Sequence, residues 1–200
     1  MVGVACQNCC EFEALHFPIY TLKLFLCMKI SLTINTYWLL FLWLMVQCFV
    51  LLGVRCTNLH LVNYATKTIC ARYWVPNEVG GGCKVLSPGQ AWDVFATPTW
   101  RAATLWAIKD GCGPCDTGPP TGVTQFEITI GGGWGNDYYD LSMLAGFNLG
   151  MKVTPSNFDC ASQSCLVPSP SACQGFFPGG PDRTNACRYG SSDYNIAFYD

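Results

Sequence analysis

Fourteen cysteines in 200 residues, nine of them downstream of one long apolar run, constrain this chain more than any other feature. Whether they can be cross-linked depends on where the chain goes, and the apolar run decides that. Tyr37–Val54, YWLLFLWLMVQCFVLLGV, is 18 residues long, short for a membrane span and long for a signal core. Met28-Lys29 places a start-like residue and a positive charge just ahead of it, and Val54-Arg55-Cys56 puts small residues at the −3 and −1 positions of a cut. Met28–Cys56 therefore reads as a secretory signal with the mature chain starting near Thr57, and a retained single-span anchor is the alternative. Residues 1–27 read as an upstream segment from a start assigned too early. Cys6-x-x-Cys9 within them has no second Cys/His pair at ligand spacing, so no metal is expected there.

The remaining 144 residues, Thr57–Asp200, carry 11 acidic and 8 basic side chains, a net charge of −3. With no Lys/Arg cluster to neutralise phosphates, a nucleic-acid binder is excluded, and the aromatic and aliphatic content excludes a disordered chain. Gly and Pro supply 29 of these residues and punctuate many short segments. Between them lie β-rich runs at Leu59–Asn63, Thr68–Val75, Ala91–Ala96, Ala103–Ile108, Gln125–Ile130, Tyr138–Ser142, Gly150–Val153 and Tyr194–Tyr199. None continues at helical period, so the expectation is an all-β sandwich or barrel with no long helix. Pro155–Pro181 is poor in aliphatics and holds Cys160, Cys165 and Cys173, which reads as an irregular excursion pinned by covalent bonds. The eight cysteines at 70, 83, 112, 115, 160, 165, 173 and 187 predict a disulfide framework, with 105 connectivities open to them. Cys112-Gly113-Pro114-Cys115 has redox-motif spacing. The DTGPPTG that follows cannot start the helix that would activate a thiolate, so a structural role is expected.

Several blocks resemble the thaumatin-like proteins, in particular their shortened members. They are GGGCKVLSPGQAWDVFA (80–96), LWAIKDGC (105–112), FEITIGGG with NDYYDLSMLAGFNLGMKVTPS (126–156) and the terminal YNIAFYD (194–200). The resemblance covers nearly all of 57–200 and implies the family's flattened β-sandwich with a small disulfide-pinned region. It also exposes departures. Ala65 and Tyr199 stand where the family has the two cysteines that tie its terminal strands. Cys70 and Cys83 are additional, and the alignment pairs them with each other across a hairpin. It also implies Cys112–Cys115, Cys160–Cys187 and Cys165–Cys173.

The family's acidic cleft, which binds β-1,3-glucan and in some members hydrolyses it, maps onto Glu127, Asp140 and Asp182. Ala145 replaces one aspartate and Thr104 the arginine, with Arg101 a substitute nearby. Glu127 and Asp140 are the candidate catalytic pair, since glycoside hydrolysis needs one protonated and one ionised carboxyl group. Asp182, Asp137, Trp134, Tyr138 and Arg101 are the candidate ligand-binding residues, the aromatics because ring faces suit sugar C–H groups. The resemblance implies a secreted, pathogenesis-related, antifungal defence protein that binds cell-wall β-1,3-glucan without robust catalysis. Weak endo-β-1,3-glucanase activity and inhibition of foreign glycosidases are the alternatives. No cofactor, metal or lasting membrane partner is expected, and the chain is expected to be a monomer. His16 and His60 form no triad, and no N-x-[ST] sequon occurs.

Overall fold

The computed structural model describes residues 56–76, 80–109 and 111–200, so the signal and upstream readings lie outside the described residues apart from Cys56. Cys56–Asp200 forms one compact unit. Eleven strands build it: β1 Thr57–Asn63, β2 Ile69–Trp74, β3 Gly81–Leu86, β4 Ala91–Ala96, β5 Ala103–Ile108, β6 Gln125–Thr129, β7 Asn136–Ser142, β8 Gly150–Pro155, β9 Gln163–Cys165, β10 Asn185–Arg188 and β11 Tyr194–Tyr199. Among the described residues the helical content is one 3₁₀ turn, Gly133–Gly135. No helix there is long and apolar enough to cross a membrane.

The strands form a five-stranded sheet ordered β4-β1-β11-β8-β9 and a six-stranded sheet ordered β10-β7-β6-β5-β2-β3. Period-2 alternation sends one side of each into a shared core. Leu59, Leu61, Met151, Val153, Ile196 and Phe198 come from the first sheet, and Ala71, Leu105, Phe126, Ile128, Tyr139 and Leu141 from the second, all essentially buried. Phe126, Tyr139 and Tyr194 interlock between the sheets with ring centroids 5.1–6.3 Å apart. All eight runs read from the sequence are strands. The three strands outside that reading, β3, β9 and β10, are a hairpin arm with exposed Lys84 and Val85 and two short pieces flanking the cysteine-rich excursion.

That excursion is pinned by more than disulfides. β9 pairs with β8, Phe176 exchanges backbone bonds with Leu141 and Met143 at 2.7 and 2.8 Å, and the buried Gln163 amide bridges Leu141 N–H to the Arg183 carbonyl.

β1 and β11 pair in parallel, Leu59 opposite Tyr194 through Asn63 opposite Phe198. Where the family's terminal disulfide is missing, side chains take over. The Asp200 carboxylate accepts both the Thr66 N–H and the Thr66 hydroxyl at 2.6 Å and pairs with Lys109 at 3.3 Å. Tyr64 N–H donates to the Phe198 carbonyl, and the Tyr64 and Tyr199 rings lie 5.6 Å apart.

The Thr66 hydrogen bonds, helped by Lys109, hold the Asp200 pKa down to about 2 from 3.8. Because the folded value lies below the unfolded one, this contribution is complete above about pH 4 and is lost as pH falls toward 2. Asp200→Asn should remove it: thermal melts of variant and wild type should converge near pH 2 and separate, with the variant lower, above pH 4.

Candidate functional site

On the six-stranded sheet the core takes Phe126, Ile128, Tyr139 and Leu141, so alternation turns Glu127, Asp140 and Ser142 to the opposite, outer face. Glu127 and Asp140 are directly opposed in the β6–β7 register. Directly opposed positions bring Cβ atoms to about 4.5–5.5 Å, so the two half-buried carboxyls are immediate neighbours. Burial raises the Glu127 pKa, against a hydrogen bond from Ser142. Burial, then the charges of Glu127 and Asp182, pushes Asp140 up to about 7. Crowded carboxylates that cannot all ionise keep a proton between them. The site thus pairs a carboxyl whose pKa is pushed to about 7, Asp140, with a second, Glu127, whose pKa burial also raises.

Asp182 is exposed on the loop leading to β10, and the Thr184 N–H and hydroxyl, at 2.9 and 2.7 Å, hold its pKa below the usual range. It lines an open hollow of about 550 Å³ together with Ser162, Gln163, Gln174 and Thr184. Three predicted residues therefore meet: Glu127, Asp140 and Asp182.

The others divide. Trp134 sits at the tip of the β6–β7 loop, 95% exposed, with φ of +58°. The loop beneath it is held by Gly132 N–H to the Asn136 carbonyl at 2.6 Å, the Tyr138 hydroxyl to the Gly133 carbonyl at 2.9 Å, and Tyr189 N–H to the Gly135 carbonyl at 2.9 Å. A left-handed tryptophan costs roughly 1–2 kcal/mol, and an exposed indole adds nothing to the core. Tyr138 is half-buried and supports this loop.

Asp137 points the other way. It is fully buried on the core side, accepts Gly131 N–H at 2.8 Å and the Tyr194 hydroxyl at 3.2 Å, and is held above its ordinary pKa by burial. It is out of a ligand's reach, because β7 parity puts it on the face opposite Asp140. Arg101 likewise spends its guanidinium on the carbonyls of Pro98, Trp100, Ile130 and Gly131, clamping two turns together.

The disulfides correct the expected pairing. Cys70 bonds Cys112 and Cys83 bonds Cys115, each with Cα atoms 5.2 Å apart, so neither Cys70–Cys83 nor Cys112–Cys115 forms. Across the hairpin Cys70 faces Val85, and Cys83 faces Arg72. Each cysteine reaches instead to the CGPC loop, which lies over the outer face of β2 and β5. Cys160–Cys187 and Cys165–Cys173 are as expected.

Beneath that loop lies Arg72, which the sequence reading passed over. It is 6% exposed, its guanidinium carbon lies 5.4 Å from the Trp106 ring centroid, and it donates to the carbonyls of Cys112 and Pro114 and to Thr117 Oγ1. One arginine inside the otherwise apolar or aromatic ICARYW was the available signal.

The family model described as "Thaumatin family" matches residues 63–197. The chain belongs to the thaumatin family. A thaumatin-like protein of Oryza sativa subsp. japonica is 33% identical over 161 residues, 68% of this chain and 85% of its own length. Thaumatin-like protein PWIR2 of Triticum aestivum is 32% identical, covering 75% of this chain and 95% of its own. Pathogenesis-related protein 1A/1B of Hordeum vulgare is also 32% identical over the same shares. Among solved structures, the thaumatin-like xylanase inhibitor TLXI superposes with a TM-score of 0.55 at 21% identity, covering 70% of this chain and 97% of its own. The protein elicitor MoHrip2 from Magnaporthe oryzae gives 0.51 at 13% identity, over 71% and 98%. Both share the fold. This is a thaumatin-like protein of the pathogenesis-related group, nearly all β.

Two outcomes follow. Non-reducing peptide mapping should recover Cys70 linked to Cys112 and Cys83 linked to Cys115. The folded Asp140 pKa, about 7, lies above the 3.8 of the unfolded chain, so its contribution is present below pH 4 and lost as pH rises to 7. Asp140→Asn should melt close to wild type at pH 4 and above it at pH 8.

Proposed function

We propose that this thaumatin-like protein is a secreted, defence-related protein that binds cell-wall β-1,3-glucan on the outer face of its six-stranded sheet, without robust hydrolysis. The observation that carries this reading is the direct opposition of Glu127 and Asp140, with Asp182 near enough for its charge to act on Asp140 and itself lining an open hollow. Sugar hydroxyls both donate and accept, and two neighbouring carboxyls with raised pKa values can accept when ionised and donate when protonated. Trp134 adds an apolar ring at the end of the same two strands, held on strained backbone by a braced loop. Strain retained in a well-braced loop is a cost that a binding role explains.

Binding is favoured over catalysis because the carboxyls are next-door neighbours on one face. An inverting hydrolase needs them about 6.5–9.5 Å apart with room for a water. The specific observation favouring the second reading, a weak retaining glucanase, is that Asp140, pushed up to about 7, sits directly opposite a second half-buried carboxyl, Glu127.

Retention on insoluble β-1,3-glucan, run beside a reducing-sugar assay, separates the two. Wild type should be retained with no sugar released. The Glu127→Gln/Asp140→Asn variant should lose about tenfold in affinity, the equivalent of roughly 1.4 kcal/mol. Trp134→Gly should weaken retention while raising the melting temperature, because glycine accepts the positive φ without strain. Equal retention of wild type and both variants would reject this surface as the binding site, and sugar release by wild type would favour the enzyme.

A further inference from the structure

The four cysteines at the other end of the same outer face converge on one point from three directions. Cys70 comes from β2, Cys83 from β3, and Cys112 and Cys115 from a loop of C-x-x-C spacing. The sulfurs of Cys70, Cys83 and Cys112 lie within 4.8 Å of one another, and Cys115 is bonded to Cys83. Two cysteines on a hairpin and two on a C-x-x-C turn are the donor set of a tetrahedral thiolate site, in which Zn–S bonds of about 2.3 Å set the sulfurs just under 4 Å apart.

An independent feature points the same way. Arg72 lies beside this cluster, directly opposite Cys83, with its charge nine-tenths buried. No ion pair joins it to a carboxylate among the described residues. Its Nε–H and the Nε1–H of Trp106, directly opposite on β5, are buried without hydrogen-bond partners there. A buried cation with a spare donor is stabilised by anionic sulfur close by. Four thiolates around one divalent ion carry a net charge of −2, which Arg72 partly balances.

We propose that, when these two disulfides are reduced, the chain binds one Zn²⁺ through Cys70, Cys83, Cys112 and Cys115, so that the loop over β2 and β5 is fastened by metal instead of by disulfides. The chemistry balances with an external dithiol as reductant. Each disulfide takes up two electrons and two protons while one dithiol closes to its own disulfide, and the four protein thiols then release four protons as zinc binds. Two external disulfides as oxidants reverse the sequence: each is reduced to its dithiol, taking up two electrons and two protons as one protein disulfide re-forms, and the ion is expelled. The site is separate from the carboxylates on β6 and β7 and does not depend on the glucan-binding reading.

The test uses the full chain, reduced under anaerobic conditions and freed of metal, with and without one equivalent of Zn²⁺. Cysteines are then alkylated and mapped by peptide mass spectrometry. Zinc should slow labelling of residues 70, 83, 112 and 115 by at least about tenfold, since a site closed by four ligands leaves no thiolate free, while 160, 165, 173 and 187 label as before. Native mass spectrometry should show one zinc per chain, lost in Cys112→Ser/Cys115→Ser and kept in Cys165→Ser/Cys173→Ser. Uniform labelling of these eight of the fourteen cysteines, protection confined to cysteines other than 70, 83, 112 and 115, or zinc retained undiminished by Cys112→Ser/Cys115→Ser would each overturn the proposal.

Discussion

A six-stranded sheet has two faces, and only one can pack against the five-stranded sheet. What becomes of the second face organises the rest of this protein. Over β2 and β5 it is dry: Cys70, Arg72, Thr104 and Trp106 are buried beneath the CGPC loop, which gives that face a small interior of its own. Over β6 and β7 it remains open enough for two carboxyls to sit half-buried and for a hollow to form beside β10. The covered and open parts share strands, since Thr104 on β5 is directly opposite Glu127 on β6. The carboxylate pair therefore stands next in register to the covered region, one strand away from it.

The redistribution of cysteines follows from the same constraint. Ala65 and Tyr199 leave no terminal cross-link, yet the parallel β1–β11 pair is retained, tied by Asp200 to Thr66 and Lys109 and by the packing of Tyr64 on Tyr199. That tie needs no covalent bond because its backbone partners already lie in the sheet. A loop with three glycines, three prolines and no apolar anchor, 111–120, cannot hold itself against a sheet by burial. Two disulfides that close loops spanning 42 and 32 residues of sequence can, each at a stabilisation of a few kcal/mol in the chain-entropy account.

The strands were legible because alternation and turn chemistry are local, and the eight runs read from the sequence are all present. β9 and β10 were not, because Gln163–Cys165 and Asn185–Arg188 are short and polar and become strands only by pairing with β8 and β7. The cysteine pairing failed for a related reason. The family alignment leaves Cys70 and Cys83 without partners, and a hairpin brings them to one face, but pairing depends on register. With Cys83 opposite Arg72, Cys70 lies two residues out of line, and the loop folding back from β5 meets both. Glu127, Asp140 and Asp182 were legible as a group only through the family resemblance, since nothing local brings residue 182 toward residue 140.

Asp137 and Asp140 show how fine the remaining distinction is. They lie three residues apart on one strand, carry the same chemistry, and have opposite fates because an odd separation on a strand exchanges faces. Asp140 keeps partial contact with solvent, and burial with the charges of Glu127 and Asp182 pushes its pKa up to about 7. Asp137 is buried, its charge answered by Gly131 N–H and the Tyr194 hydroxyl, and it anchors from below the same loop that lifts Trp134 into solvent. The buried carboxylate and the exposed indole belong to one device: the loop can hold a strained, unpacked tryptophan because a carboxylate in the core fixes its first residue. A ligand meeting Trp134 and Asp140 would thus touch two residues whose positions both depend on the parity of β7.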